Sequence, residues 1–189
     1  MLTVTPTNLA GVVLLEPARF GDARGFFSES WNASRMADAG LHYDFVQDNH
    51  SFSTAQGTVR GLHFQAPPHA QDKLVRCGRG ALFDVAVDIR RGSPTYGQWT
   101  GHELSFENGR QLLVPAGFAH GFMTLTPDCE IIYKCTDTYA PQTEGAVVWN
   151  DPDIGIAWPQ ADAAILSEKD RDAAPLSTLD TPFSYEVPK

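Results

Sequence analysis

Apolar and polar residues alternate with a period of two over short runs along most of the chain, and the clearest run covers 81–89. There Ala81, Phe83, Val85, Val87 and Ile89 alternate with Leu82, Asp84, Ala86 and Asp88, the pattern of a strand with one buried face. The run stops at the turn-like Arg90-Arg91-Gly92-Ser93-Pro94. Further runs of strand length lie at 11–15, 26–31, 45–53, 57–63, 73–77, 98–104, 111–114, 120–126, 130–137 and 145–150, with glycines and prolines dispersed between them. One early helix is predicted at 33–39, where Asn32 can cap the first turn and Gly40 can end it in a left-handed conformation. A second short helix is expected to begin near Ser167. Without alternating helices a parallel sheet is disfavoured, and so many short strands predict an all-β fold, most simply a double-sheet jelly roll with a few short helices.

Composition narrows the picture. The 189 residues are 42% hydrophobic and 20% charged, ordinary globular usage that predicts one folded domain over 1–189 and excludes a disordered chain or a coiled coil. Fourteen Lys and Arg against 23 Asp and Glu leave a net charge of −9, which argues against non-specific binding to nucleic acid or to an anionic membrane. Three cysteines, Cys77, Cys129 and Cys135, cannot all pair within one chain and form no Cys-x-x-Cys unit. A reducing compartment fits that usage. The start at Met1 lacks the basic and apolar regions of a signal peptide, and no later stretch is long and apolar enough for a membrane span. A cytoplasmic protein is expected. Phosphate-binding, dinucleotide-binding and nucleophile-elbow signatures are all missing.

Chemistry concentrates in four blocks. Gln47, Asn49, Ser51 and Ser53 share one face of their run, so that face either meets solvent, the commoner outcome, or lines a wet pocket. Arg60 and His63 are three apart and would point to opposite faces of a regular strand, unless Gly61 between them permits a bulge. His63 alone reads more readily as a structural histidine. The block from Pro115 to Phe122 contains Pro-x-Gly-x-x-His ending at His120, which resembles a cupin motif, cupins being small jelly-roll barrels. Many cupins complete a metal site with His-x-His and a glutamate, but here Gln65 stands two after His63 and no glutamate matches. Convergence of His63, His69 and His120 on a metal stays open as an alternative. Tyr133 shares a face with Ile131 and Cys135 and reads as a core tyrosine, while Ser167 and Asp170 read as a capping pair.

Taken in order, Phe20-x-Asp22-x-Arg24-Gly25-x-Phe27-x-Glu29, Gln47-Asp48-Asn49-x-Ser51, Arg60-Gly61-Leu62-His63-x-Gln65, Lys73-Leu74-Val75-Arg76, Asp84-Val85-x-Val87-Asp88, Pro115-x-Gly117-Phe118-x-His120-Gly121-Phe122, Tyr133 with Tyr139, and Leu166-Ser167-x-Lys169-Asp170 resemble the dTDP-4-dehydrorhamnose 3,5-epimerase family across nearly the whole chain. The resemblance implies a cupin-like jelly roll that needs neither metal nor other cofactor. It implies inversion of carbons 3 and 5 of a dTDP-4-keto sugar, with His63 as base, Asp170 orienting it, Tyr133 as proton donor, and Lys73 with His120 at the enolate oxygen. Arg60 would help there or hold phosphate. Arg24, Phe27, Glu29, Gln47, Asn49 and Tyr139 match positions that bind the nucleotide. The family also implies a homodimer in which the segment from Arg24 to Glu29 reaches into the neighbouring active site. Single-site 3- or 5-epimerases, a metal-dependent cupin and a non-catalytic sugar-nucleotide binder are the alternatives.

Overall fold

Strand pairing sorts the alternating runs into two antiparallel sheets and a separate hairpin in a computed structural model that describes residues 2–186. Met1 and the last three positions of the 1–189 expectation lie outside the described residues. The first sheet runs in the order β1 (Leu2–Pro6), β2 (Val13–Pro17), β10 (Gln111–Val114), β7 (Lys73–Arg79), β12 (Cys129–Cys135) and β5 (Gln47–Ser53). The second runs β13 (Glu144–Ala146), β6 (Val59–Gln65), β11 (Phe118–Thr124), β8 (Ala81–Asp88) and β9 (Trp99–Ser105). The hairpin is β3 (Arg19–Asp22) with β4 (Gly25–Ser28). Helix α1 spans Ala33–Asp38 and α2 spans Glu168–Arg171.

The inner faces of the two sheets meet in one cluster. Leu14, Val75, Cys77, Leu112, Val114 and Ile131 come from the first sheet, and Leu82, Ala86, Leu104, Phe118 and Phe122 from the second. Each fully buried Leu, Val or Phe stabilises the sandwich by ~1.5–3 kcal/mol relative to an exposed one. This is the expected double-sheet jelly roll.

The single buried face predicted for 81–89 is corrected by the structure. Val85 and Val87 are as fully buried as Leu82, Asp84, Ala86 and Asp88, because the chain after β13 returns over the outer face of the second sheet. There Val147, Trp149, Ile154, Trp158, Leu176 and Phe183 pack on Val59, Leu62, Val85, Val87 and Met123. The first sheet is covered in the same way by Met36 of α1 and its flanks Trp31, Leu41 and Phe45, which pack on Leu15, Leu74 and Leu113. A period of two cannot distinguish a solvent-facing side from one that sequence-distant chain will cover.

Helix α1 forms as expected, with the Asn32 side chain accepting from Arg35 N at 3.1 Å and Gly40 following at φ +79°. Ser167 caps α2, accepting from Asp170 N at 3.1 Å. The structure adds two strands and corrects two strand expectations. Strands β1 and β3 were not foreseen, the run at 26–31 is strand only in Gly25–Ser28, and the run at 145–150 pairs only through Ala146 before turning onto the sheet. Among the described residues no helix is long and apolar enough to cross a membrane.

Candidate active site

Where the two sheets diverge, their inner faces leave a cavity of about 600 Å³ lined by Arg60, His63, Lys73, His120, Tyr133 and Asp170 together with Ser51, Val59, Phe122, Ile165, Leu166 and Lys169. A second cavity of about 230 Å³ shares His63, Lys73 and Tyr133 with it and adds Gln47, Asn49, Tyr139 and Glu144. Gln47, Asn49 and Ser51 of β5 therefore line the two cavities, while Ser53 of the same face is buried outside them and Asp48, His50 and Phe52 are exposed. Base rates favoured a solvated face. Here that face belongs to the strand at the edge of the first sheet and looks into the cavity instead.

The bulge anticipated at Gly61 is present. In the β6–β11 ladder His63 faces His120 and Arg60 faces Phe122, so two residues of β6, Gly61 and Leu62, stand opposite the single Gly121. The extra residue reverses the side-chain parity and turns Arg60 and His63 to the same cavity. Gly61 has φ +137°, and a Cβ there would lie 2.5 Å from Gly121 Cα. Only glycine fits this crossing.

Two histidine–carboxylate pairs stand side by side on this wall. His63 Nε2 lies 2.5 Å from Asp170 Oδ1, and the other carboxylate oxygen accepts from Ser167 Oγ at 2.8 Å. Burial pushes the Asp170 carboxyl up, but the bonds from His63 and Ser167 outweigh it and hold the group below its ordinary range. Asp170 is thus a capping residue and a histidine partner at once, and the two readings of it are compatible. His63 Nδ1 has no hydrogen-bond partner among the described residues and is left for a ligand. Next to it, His120 Nε2 lies 2.8 Å from Asp84 Oδ1, and both residues are buried.

The facing wall belongs to the first sheet. Tyr133 packs against the inter-sheet core yet also lines both cavities. Burial, then the neighbouring Cys135, pushes its phenol pKa up against the opposing pull of Arg60, so it holds its proton at neutral pH. Lys73 stands opposite Cys135 in the β7–β12 ladder, and burial pushes its ammonium pKa down. A base nitrogen on one wall, a protonated phenol on the other and an amine beside them can remove and return a proton at a carbon held between the sheets.

Arg24, Phe27 and Glu29 are not brought to this cavity within the chain. Arg24 is exposed on the hairpin and pairs with Asp22 at 2.5 Å; Phe27 is 65% exposed; Glu29 pairs with Arg35 at 2.9 Å. The convergence of His63, His69 and His120 on a metal is also corrected, because His69 turns away to Asp137 Oδ2 at 3.1 Å. Among the described residues no three His, Cys, Asp or Glu side chains are grouped to hold a metal.

Three charged residues at the site were missed as site residues. Asp84 was legible as a polar position of an alternating strand and as part of a family motif, but neither gave it a role at the site. Glu144 accepts from Lys169 Nζ at 2.6 Å and from Tyr139 Oη at 3.1 Å, a contact between segments that no local spacing announces.

Fold and cavity together define a jelly-roll protein equipped for acid–base chemistry. A family model described as dTDP-4-dehydrorhamnose 3,5-epimerase matches residues 6–178. Proteins with that name from Sinorhizobium fredii and Pseudomonas aeruginosa are 56% and 53% identical, covering 94% and 95% of this chain and 91% and 98% of their own. A crystal structure of dTDP-6-deoxy-D-glucose-3,5-epimerase from Legionella pneumophila, in complex with dTDP-4-keto-L-rhamnose, superposes with a TM-score of 0.94 at 44% identity, covering 99% of this chain and 100% of that one. The chain belongs to the dTDP-4-dehydrorhamnose 3,5-epimerase family, a family of isomerases.

Proposed function

We propose that the protein, acting as one jelly-roll domain, inverts carbons 3 and 5 of dTDP-4-dehydro-6-deoxy-D-glucose to give dTDP-4-dehydro-L-rhamnose, a step toward dTDP-L-rhamnose. The observation that carries this is the placement of His63 and Tyr133 on opposite walls of one cavity, each on a different sheet. Both carbons flank the ketone at carbon 4, so their protons are acidic once the enolate is stabilised. His63, oriented by Asp170, takes the proton from one face, and Tyr133 returns one from the other, which inverts the centre. Lys73 and His120 stabilise the oxygen that gains charge. Arg60 adds a further cation for the enolate or the diphosphate. Proton exchange beside an existing ketone moves no electrons to a carrier, so no cofactor is invoked.

Gln47, Asn49 and Tyr139, in the adjoining cavity, suit the nucleotide, with Tyr139 stacking on the base. Arg24, Phe27 and Glu29 complete the nucleotide site across a homodimer, each hairpin entering the partner's cavity. The exposed aromatic pair Phe20 and Phe27 on that hairpin supports this reading, as does the distance of Arg24 from the cavity of its own chain. The reaction takes place in the cytoplasm.

Incubation with the keto-sugar nucleotide in deuterated water tests the proposal. Deuterium is expected at carbons 3 and 5. Label at one carbon only identifies a single-site epimerase instead, and label at neither overturns the reading.

A further inference from the structure

Asp84 forms no part of the cavity wall, yet it lies behind His120, which does. It is fully buried in β8, and its Oδ1 holds His120. Its Oδ2 is buried with no hydrogen-bond partner among the described residues. A carboxylate oxygen left without a donor in a protein interior costs free energy, and such exceptions call for a compensating use.

Lys73 presents the complementary problem. Burial opposes its charge, and three neighbours act against that, in order Cys135, Asp84 and Glu144. Cys135 cannot supply a negative charge, because burial holds its own thiol protonated. Glu144 already has a cation in Lys169. On β9, His102 stands directly opposite Asp84, but burial pushes its pKa down and its Nε2 is engaged with Thr100 Oγ1 at 3.0 Å. The remaining match is between Lys73 and the free oxygen of Asp84.

We propose that Asp84 is the positioning residue for the two enolate-stabilising groups, fixing the His120 ring through Oδ1 and serving Lys73 as countercharge through Oδ2. The catalytic half of this inference rests on the reading of Lys73 and His120 given above; the electrostatic half does not. Without Asp84, Lys73 loses its proton at a lower pH and the enolate loses a full positive charge.

The test is a carbon-13 NMR titration of labelled lysine in the substrate-free protein, with the Lys73 signal assigned by its disappearance in Lys73→Met. In Asp84→Asn the Lys73 titration is expected to move toward acid by about one pH unit. The alkaline limb of kcat should move with it, and kcat on that limb should fall about tenfold with KM changed by less than about threefold. Asp84→Ser carries the same expectation should the asparagine variant not fold. Asp88→Asn is the control: it removes a second buried carboxylate from the same strand, one bonded to Arg90, Ser93 and Thr95. It should lower Tm and leave Lys73 unmoved. An unshifted Lys73 in a folded Asp84 variant, or an equal shift in Asp88→Asn, overturns the proposal. A shifted Lys73 in a protein that exchanges no substrate deuterium removes the epimerase reading and leaves the countercharge standing.

Discussion

The two histidine–aspartate pairs have the same chemistry and nearly the same geometry, but they are built from opposite kinds of structure. His120 and Asp84 sit on neighbouring central strands, 36 residues apart in sequence, and both are buried. Two covered sheet faces hold that pair in place. His63 and Asp170 are 107 residues apart; one follows a bulge and the other rides on a four-residue helix at the end of a long covering segment. The His63 side chain keeps 27% of its surface exposed. A pair inside a sheet is a fixed charge arrangement, suited to stabilising a developing anion. A pair assembled at the cavity edge, with one ring nitrogen free, can exchange a proton with a ligand.

The sharpest way to break this contrast is to delete each histidine in turn. His63→Ala should abolish deuterium exchange at both carbons, a fall of about 10⁴ or more in rate, whereas His120→Ala should slow both by about 10–10² while leaving exchange detectable. Equal losses would erase the distinction between the pairs. Tyr133→Phe should retain proton abstraction by His63 and lower productive inversion by about 10²–10³, read as exchange outpacing product formation. An unchanged product yield would remove Tyr133 from the facing wall's role.

The smallest effect concerns stability. The folded-state pKa of Asp170 lies below its ordinary 3.8, so the carboxylate's bonds to His63 and Ser167 contribute stability that is complete above that value and is lost as pH falls through the folded value. Asp170→Asn should therefore be less stable than the parent by about 1 kcal/mol at pH 7 in urea unfolding, and the difference should shrink below about pH 4. A difference independent of pH would mean that the carboxylate's charge adds nothing to the fold.

The same contrast explains which parts were legible in the sequence. His63, Asp170, Lys73 and Tyr133 sit in short motifs whose order carried the resemblance, and the bulge was marked by Gly61 itself. Strand β10 was predicted to the residue because a short apolar run bounded by polar residues has no competing reading. Asp84 was placed on an open face because alternation reports a strand and not what covers it; Asp84 shares the inner face with Leu82 and Ala86, which the first sheet covers, while Trp149, Trp158 and Phe183, more than 60 residues later, cover Val85 and Val87 on the other. Strand β1 was missed because as an edge strand it buries little, and β3 because Gly21 and Asp22 break its apolar pattern. Of the hairpin's aromatics, Phe26 packs on Phe106 of its own chain, whereas Phe20 and Phe27, legible as part of a nucleotide motif, stay exposed.

Orientation of the base depends on a segment that belongs to neither main sheet. The His120–Asp84 pair is held between neighbouring strands, whereas Asp170 sits on the short helix α2, whose chain meets the second sheet through the isolated bridge from Thr58 to Ile165. With that segment lifted away, His63 stands in the cavity with no carboxylate behind it. A local opening of residues 165–171 therefore uncouples the oriented base while both sheets and the fixed pair stay formed.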